Sequence, residues 1–327
     1  MEPFVTLDEI TAARDRIKSA VVYTPLLAVP WPSQAASHKP QAPSLLLKAE
    51  SLQPVGAFKI RGAFNMIAQL SKDQLARGVI TYSSGNHGQA VALAARTIGA
   101  PAVIVMPTTA PQVKVDGCKS YGAEVIMEGT TSLDRQRRAE QEAAARGLTM
   151  VPPFDHRQII IGQGTMGLEI LEQAPNLGTV VVPAGGGGMA SGVAAAIKQS
   201  KPSVRVVAVE PVGAPKMTRS LEAGQPSTLP FSKSIADGLM NLRPGNLTFA
   251  HVQKYVDEVV MVEENDIAAA VAWLFRNARL VAEPSGAVTT AAVAKGLGHI
   301  DPANGDVVAV VSGGNVAPEA FSKYVAG

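Results

Sequence analysis

Cysteine is almost missing: one residue, Cys118, stands in a chain of 327. A lone thiol excludes an intrachain disulfide and any cysteine metal cluster, and with no His or acid close by it reads as a small residue on a helix. Charge of one sign is lacking too. Lys and Arg number 29 against 27 Asp and Glu, a net charge of +2, and the basic residues are scattered among acids, which argues against a nucleic-acid partner. The stretch Thr179 to Ile197 has no charge and would be long enough to span a membrane, but it contains Pro183 and four successive glycines, Gly185 to Gly188. A strand, a loop and a helix suit it better than a span, so no membrane partner is expected. The first residues, MEPFVTLDEITAARDRIKSA, carry acids and no apolar segment of the secretory kind, so the expected location is cytoplasmic. What is present in quantity is apolar: 46% hydrophobic residues against 17% charged allow a sizeable core, in one large domain or two ordinary ones.

Strand and helix signals alternate along most of the chain, the pattern of an α/β protein built on parallel sheets. Thr6 with Glu9 forms a capping box that opens a first helix, and Ser44 to Lys48 is a short apolar strand. Gly78 to Tyr82, Ala102 to Met106 and Ala123 to Met127 read as buried strands, with helices after Gly88, Pro111 and Thr131. A second series has strands at Thr179 to Val182, Val204 to Val209 and Asp306 to Val311, and helices after Gly188, near Glu263 to Asn277 and after Ser285. Between them, Gly224 to Val252 is rich in Pro, Gly, Ser and Asn without clear periodicity, and reads as an ordered excursion lining a site.

Several segments carry chemistry. In TVVVPAGGGGMASGVAAAI an apolar strand runs into Gly185, Gly186, Gly187 and Gly188 and then a helix, which exposes backbone N–H groups where helix dipoles favour a phosphate. It lacks a Walker lysine and the G-x-G-x-x-G spacing, which speaks against a nucleotide; the alternative is a flexible hinge. DVVAVVSGGN sets Ser312 at the carboxyl edge of a strand, where open α/β folds bind ligands, though a tight turn would look the same. SSGNHGQA, from Ser83, gathers Ser84, Asn86 and His87 into a strand-to-helix turn able to hold a carboxylate; His87 is either a general base or a hydrogen-bonding structural group. No second His stands at metal-ligand spacing from it. Lys59 lies between Phe58 and Arg61, and a buried amine beside another cation would have the lowered pKa that Schiff-base chemistry requires. Arg135, Arg137 and Arg138 run with Glu140 and Glu142 as a solvated helix face, and Glu283 precedes Pro284 as either a helix-terminal charge or an acid facing the site.

Taken together, SLQPVGAFKIRGA, SSGNHGQA, PAGGGGMASG and VVSGGN resemble, in order and over almost the whole chain, the serine racemase and threonine dehydratase family of fold-type II pyridoxal-phosphate enzymes. The resemblance implies an α/β fold like that of the tryptophan synthase β subunit: two parallel-sheet domains with the cofactor, pyridoxal 5'-phosphate, in the cleft. Residues 1–52 and 154–327 would form the large domain and 53–153 the small one. Lys59 resembles the lysine that carries the cofactor, with Phe58 beside the ring and Asn86 on the ring hydroxyl. Gly185 to Gly188 and Met189 resemble the phosphate loop, and Ser312 the hydroxyl facing the ring nitrogen. Such a hydroxyl in place of a carboxylate favours elimination over transamination. Ser83, Ser84, Asn86 and His87 match the loop that grips the substrate carboxylate; Glu283 matches an acid near the site, and Arg135 a substrate-binding position. A homodimer is implied, and no C-terminal regulatory domain is expected after Gly327.

The implied reaction is removal of water from a β-hydroxy amino acid, with Lys59 taking the Cα proton and a 2-oxo acid and ammonia as products. Serine, threonine, hydroxyaspartate and phenylserine all suit the core motifs. Leu239, Met240 and Leu242, where serine racemases have small or polar residues, favour a larger or more apolar side chain. Ser84, where racemases carry serine, implies racemase activity beside dehydration, and serine racemase is the alternative reading. A silent amino-acid-binding regulatory protein on the same fold is a third, against which the retained Lys59 speaks. Metal-activated members pair a glutamate with an aspartate six residues on; this chain has Glu210 and Lys216 instead. An ammonium cannot ligate Mg²⁺ or Ca²⁺, so no divalent metal is expected, and Lys216 is expected to bond Glu210 and nearby carbonyls in the cation's place.

Overall fold

The computed structural model describes residues 4–32, 44–83, 85–110 and 112–326. The chain opens with α1 (Leu7–Ile17), whose Thr6 hydroxyl accepts from the Glu9 N–H while the Glu9 carboxylate accepts from the Thr6 N–H, the expected capping box. β1 (Leu26–Val29) and β2 (Leu45–Ala49) follow, then a 3₁₀ turn at Glu50–Leu52, α2 (Lys59–Ile67) and α3 (Lys72–Arg77). Next comes a run of short alternating elements: β3 (Val79–Tyr82), α4 (Asn86–Ile98), β4 (Ala102–Met106), α5 (Gln112–Ser120), β5 (Glu124–Met127), α6 (Ser132–Arg146) and β6 (Thr149–Met150). The chain then enters α7 (Arg157–Gln173), β7 (Leu177–Pro183), α8 (Gly188–Ser200), β8 (Arg205–Pro211) and α9 (Lys216–Ala223). After an excursion it closes with α10 (Asn246–Tyr255), β9 (Glu258–Val262), α11 (Glu264–Ala278), α12 (Pro284–Ala294), β10 (Asp306–Val311) and α13 (Pro318–Ala326).

Two sheets result. The larger has the order β1-β2-β10-β7-β8-β9, parallel except for the antiparallel β1–β2 pair at one edge. The smaller, β5-β4-β3-β6, is parallel throughout. β7, β8 and β10 are buried almost end to end because helices cover both faces. α11 and α12 pack one face of the larger sheet, α8 and α10 the other. The smaller sheet is covered by α4 on one side, where Cys118 of α5 is buried, and by α6 on the other. No helix among the described residues is long and apolar enough to cross a membrane.

Among the elements the sequence did not reveal, two helices bear on the site. α7 had no counterpart in the sequence reading, since Gly162, Gly164 and Gly167 give it poor helix propensity. Those glycines serve contact: a Cβ at Gly162 would fall 2.6 Å from the Arg61 carbonyl oxygen and 2.7 Å from the Gly62 Cα, so α2 and α7 touch backbone to backbone. α10 begins within the stretch read as irregular, its N-terminus fixed from outside by Asp155, whose carboxylate accepts from the N–H groups of Asn246, Leu247 and Thr248. Gly162→Ala is therefore expected to force α2 and α7 apart and lower stability by about 1–3 kcal/mol. Denaturant unfolding checks this; a wild-type midpoint would contradict it.

Candidate active site

The carboxyl ends of the larger sheet's central strands and the N-termini of α2, α4 and α8 surround a cavity of about 490 Å³. Every sequence-selected site residue among those described, apart from Glu210 and Lys216, lines it: Phe58, Lys59, Ser83, Asn86, His87, Arg135, Gly185 to Gly188, Met189, Glu283 and Ser312. Ser84 lies outside the described residues.

Lys59 is the first residue of α2, and its Nζ donates to the Pro153 carbonyl at 2.8 Å, 5.1 Å from the centre of the Phe58 ring. Burial pushes the ammonium down to about 8, against a weaker opposite pull from Glu283. This corrects the sequence argument, which invoked a neighbouring cation. Arg61 turns away from the cavity into two carboxylates, so desolvation rather than repulsion lowers the lysine.

The glycine loop turns a helix N-terminus towards the cavity. Gly187 sits in the left-handed region at φ +97 and caps α8, thirteen residues long, whose N-terminus opens on the cavity. The Gly186 carbonyl accepts from Thr248 Oγ1 at 2.6 Å and from the Gly245 N–H at 3.3 Å, which fixes the loop. A Cβ at Gly186 would strike the Phe154 ring at 2.4 Å, so the backbone is held at close range by an aromatic wall.

Asn86 has its amide orientation set from both sides. Its Nδ2 donates to Glu283 Oε1 at 2.6 Å, and its Oδ1 accepts from Asn315 Nδ2 at 2.9 Å, leaving one N–H for a ligand. Burial and the nearby Asp237 raise Glu283 to about 8, so this acid carries its proton for much of the neutral range and faces the site rather than solvent. Ser312 is buried, its hydroxyl donating to the Ser285 carbonyl at 3.3 Å. His87 is held as a hydrogen-bonding group: its Nε2 donates to the Val151 carbonyl at 3.0 Å, and burial together with Lys59 pushes it down to about 3. A group so reluctant to take a proton is a poor base at neutral pH. Its buried Nδ1 has no protein partner.

For Arg135 the charge pattern suggested a solvated face, whereas the resemblance suggested a substrate-binding position. Arg138 does pair with Glu142 at 2.9 Å, but Arg135 lines the cavity, and its buried Nε has no hydrogen-bond partner. Sequence reasoning also missed the other wall. The Pro153 carbonyl, the Phe154 ring and Tyr82 line the cavity, and Lys114 pairs with Asp237 at 2.7 Å across its mouth. Proline and aromatic residues in PPFD carried no spacing signal, and the Lys114–Asp237 pair joins residues 123 positions apart.

Behind the glycine loop, Lys216 and Glu210 are both fully buried and 3.3 Å apart, and Lys216 Nζ also donates to the Ala214 carbonyl at 3.0 Å. Glu210 further accepts from the N–H groups of Met217 and Thr218. Lys216 thus bonds Glu210 and a nearby carbonyl; among the described residues no group of three or more His, Cys, Asp or Glu stands together that could hold a metal ion.

A buried lysine with a lowered pKa at the start of α2 shares this cavity with a glycine loop at a helix N-terminus, an amide with a free donor on Asn86 and the Ser312 hydroxyl, a set of groups able to hold an anionic, hydrogen-bonding cofactor at an amine. The family model for pyridoxal-phosphate dependent enzymes matches residues 17–313, and the chain belongs to that family. It is 43% identical over 312 residues to L-threonine ammonia-lyase of Thermotoga maritima, covering 95% of this chain and 76% of that protein. It is 42% identical over 310 residues to serine racemase of Arabidopsis thaliana, covering 94% and 92%. It spans only 58% of the length of the biosynthetic L-threonine dehydratase of Pasteurella multocida. The maize serine racemase structure superposes with a TM-score of 0.90 at 37% identity, covering 98% of this chain and 97% of that one. The fold is thus fold-type II and the cofactor pyridoxal 5'-phosphate.

Because Lys216 neutralises a buried carboxylate, Lys216→Ala is expected to lower stability by about 3–5 kcal/mol. Chelator and added Mg²⁺ are expected to leave wild-type activity unchanged. Melting curves and activity assays check both halves: loss of activity in chelator would overturn metal independence, and an unaltered melting temperature in the mutant would overturn the structural role.

Proposed function

We propose that this protein removes water from a β-hydroxy-α-amino acid of the threonine or serine type, with Lys59 as the proton-transferring group; the enamine released tautomerises to an imine, which adds water and breaks its C–N bond to give a 2-oxo acid and ammonia. The observation that carries the reading is Lys59 itself: an amine brought to about 8 by burial, hydrogen-bonded to a carbonyl instead of a carboxylate, beside a phosphate cradle. Pyridoxal phosphate, when bound, supplies an electron sink for the pair left at Cα. Gly185 to Gly188 and Met189 would hold its phosphate, Asn86 its ring hydroxyl, Phe58 and Glu283 its flanks, and Ser312 its ring nitrogen. Ser83, Ser84, Asn86 and His87 would orient the substrate carboxylate, and the Lys59 amine would take the Cα proton. A pKa near neutrality lets the same group return that proton to the departing hydroxyl, which leaves as water.

The finer substrate reading draws on the excursion after α9. The Leu229 N–H donates to the Leu242 carbonyl and Ser232 Oγ to the Met240 carbonyl, so the segment folds on itself. Phe231, 72% exposed, then stands at the rim of a cavity also lined by Leu239, Met240 and Leu242. An apolar wall with an exposed ring at its edge favours a substrate with an alkyl or aryl group on Cβ, phenylserine among them. A second reading has its own observation: the unpartnered Nε of Arg135 favours an anionic substituent, as in hydroxyaspartate. Racemisation of serine belongs to this proposal as a side activity through Ser84, and the related Arabidopsis serine racemase supports it. A silent regulatory protein would have no use for the cofactor lysine.

The division into residues 1–52 with 154–327 and 53–153 is supported by the sheets, which draw their strands from these stretches. A homodimer is supported by Val22, Tyr23, Leu52 and Val281, which leave apolar side chains exposed. A cytoplasmic location completes the reading.

A panel of serine, threonine, phenylserine and hydroxyaspartate, assayed for 2-oxo acid, ammonia and D-isomer in wild type and Ser84→Ala, tests it. Keto-acid release is expected with at least one, fastest for an apolar side chain, and D-isomer formation is expected to fall in the variant. Hydroxyaspartate as the best substrate would favour the Arg135 reading. No release from any would contradict the dehydratase, and no D-isomer in either protein would contradict the racemase activity.

A further inference from the structure

Two residues beyond Lys59, Arg61 grips two carboxylates at once. Its Nε and Nη2 donate to Glu50 at 2.8 and 2.7 Å, and its Nη1 and Nη2 to Glu169 at 2.6 and 2.9 Å. Nη1 also reaches Thr165 Oγ1 at 3.2 Å. Lys48 completes the set, donating to Glu169 at 2.6 Å, the Thr24 carbonyl at 2.7 Å and Gln173 at 2.9 Å. Arg61, Lys48 and Glu50 are wholly buried and Glu169 is 3% exposed. Two cations and two anions cancel, and none of the four lines the cavity.

Stability is a weak reason for such a quartet, because apolar residues of the same volume stabilise a core as well or better. What paired forks give, and apolar packing does not, is direction. The elements they join show what is directed. Lys48 lies on β2, Glu50 in the 3₁₀ turn after it, and Thr165 and Glu169 on α7, all converging on the first turn of α2, whose first residue is Lys59. Against α7, α2 meets Gly162 through Gly62, and its far end is tied by Asn65 Nδ2, which donates to the Gln158 carbonyl at 2.7 Å; the forks of Arg61 fix the first turn of this nine-residue helix, the turn that carries Lys59.

We propose that Arg61, through Glu50 and Glu169, is a positioning residue for Lys59: the quartet sets the rotation of α2 and so the place where the amine meets cofactor and substrate. Resting on the reading of Lys59 as the cofactor lysine, it adds a device distinct from the cavity wall. Arg61 acts through Lys59 and touches neither ligand.

Arg61→Lys separates geometry from charge, since it keeps the quartet neutral but loses both forks. Misplacement of a reacting group by about 1 Å costs on the order of a hundredfold, so kcat is expected to fall about 10–100-fold with KM unchanged. Two further readouts accompany it: borohydride trapping of the cofactor at Lys59 slows, and the pH midpoint of the cofactor's absorbance shifts. Ile267→Ala, in the core under α11, serves as a control that lowers the melting temperature without moving either. Glu50→Gln carries the same measurements if Arg61→Lys does not fold, and failure of both to fold counts as a purely structural role. A lowered melting temperature with kcat, trapping rate and absorbance midpoint unchanged overturns the proposal alone. Trapping at another lysine in the wild type overturns the reading of Lys59, and this inference with it.

Discussion

An ammonium taken out of water and given a backbone carbonyl in place of a carboxylate is the constraint on which the site turns. Lys59 donates to Pro153, and the buried acid that most affects it, Glu283, is itself raised to about 8 and engaged by Asn86. A full ion pair would have held the amine protonated. Desolvation with only partial compensation leaves it close to neutrality, where it can both take and return a proton.

Holding such a group in place falls to parts of the fold that carry no chemistry of their own. Helix α2 lies on α7 through glycines and through Asn65, which donates to the Gln158 carbonyl, and its ionic partners lie in the core of the larger unit. The phosphate loop is tied by Thr248 and by the N-terminus of α10, which Asp155 caps from the segment returning from the smaller sheet. That same segment provides the carbonyls of Val151 to His87 and of Pro153 to Lys59. One short crossing between the sheets thus bears on the lysine, the Asn86 turn and the glycine loop together. Behind it, the Lys216–Glu210 pair supports the strand end that precedes α9.

Legibility in the sequence followed burial. β4, β7, β8 and β10 are parallel strands covered on both faces, so their apolar runs were plain. β1 and β9 lie at the edges of the larger sheet with half-exposed patterns, and β6 has two residues; each gave too little contrast to read. The glycine loop, Ser312 and the Asn86 turn were visible because strand-to-helix junctions leave a local signature. Groups assembled from distant positions left none: the wall at Pro153 and Phe154, the Lys114–Asp237 pair, and the desertion of Arg61 from the cavity to carboxylates on other elements. Arg135 was placed by the resemblance alone, because a helix whose neighbours are charged looks solvated on every side.

The central claim is that Lys59, among all the lysines of the chain, carries the cofactor. Borohydride reduction of the holoenzyme followed by peptide mapping tests it most directly. The label is expected on the peptide containing Lys59, with no turnover in Lys59→Ala; a label on any other lysine would contradict the assignment.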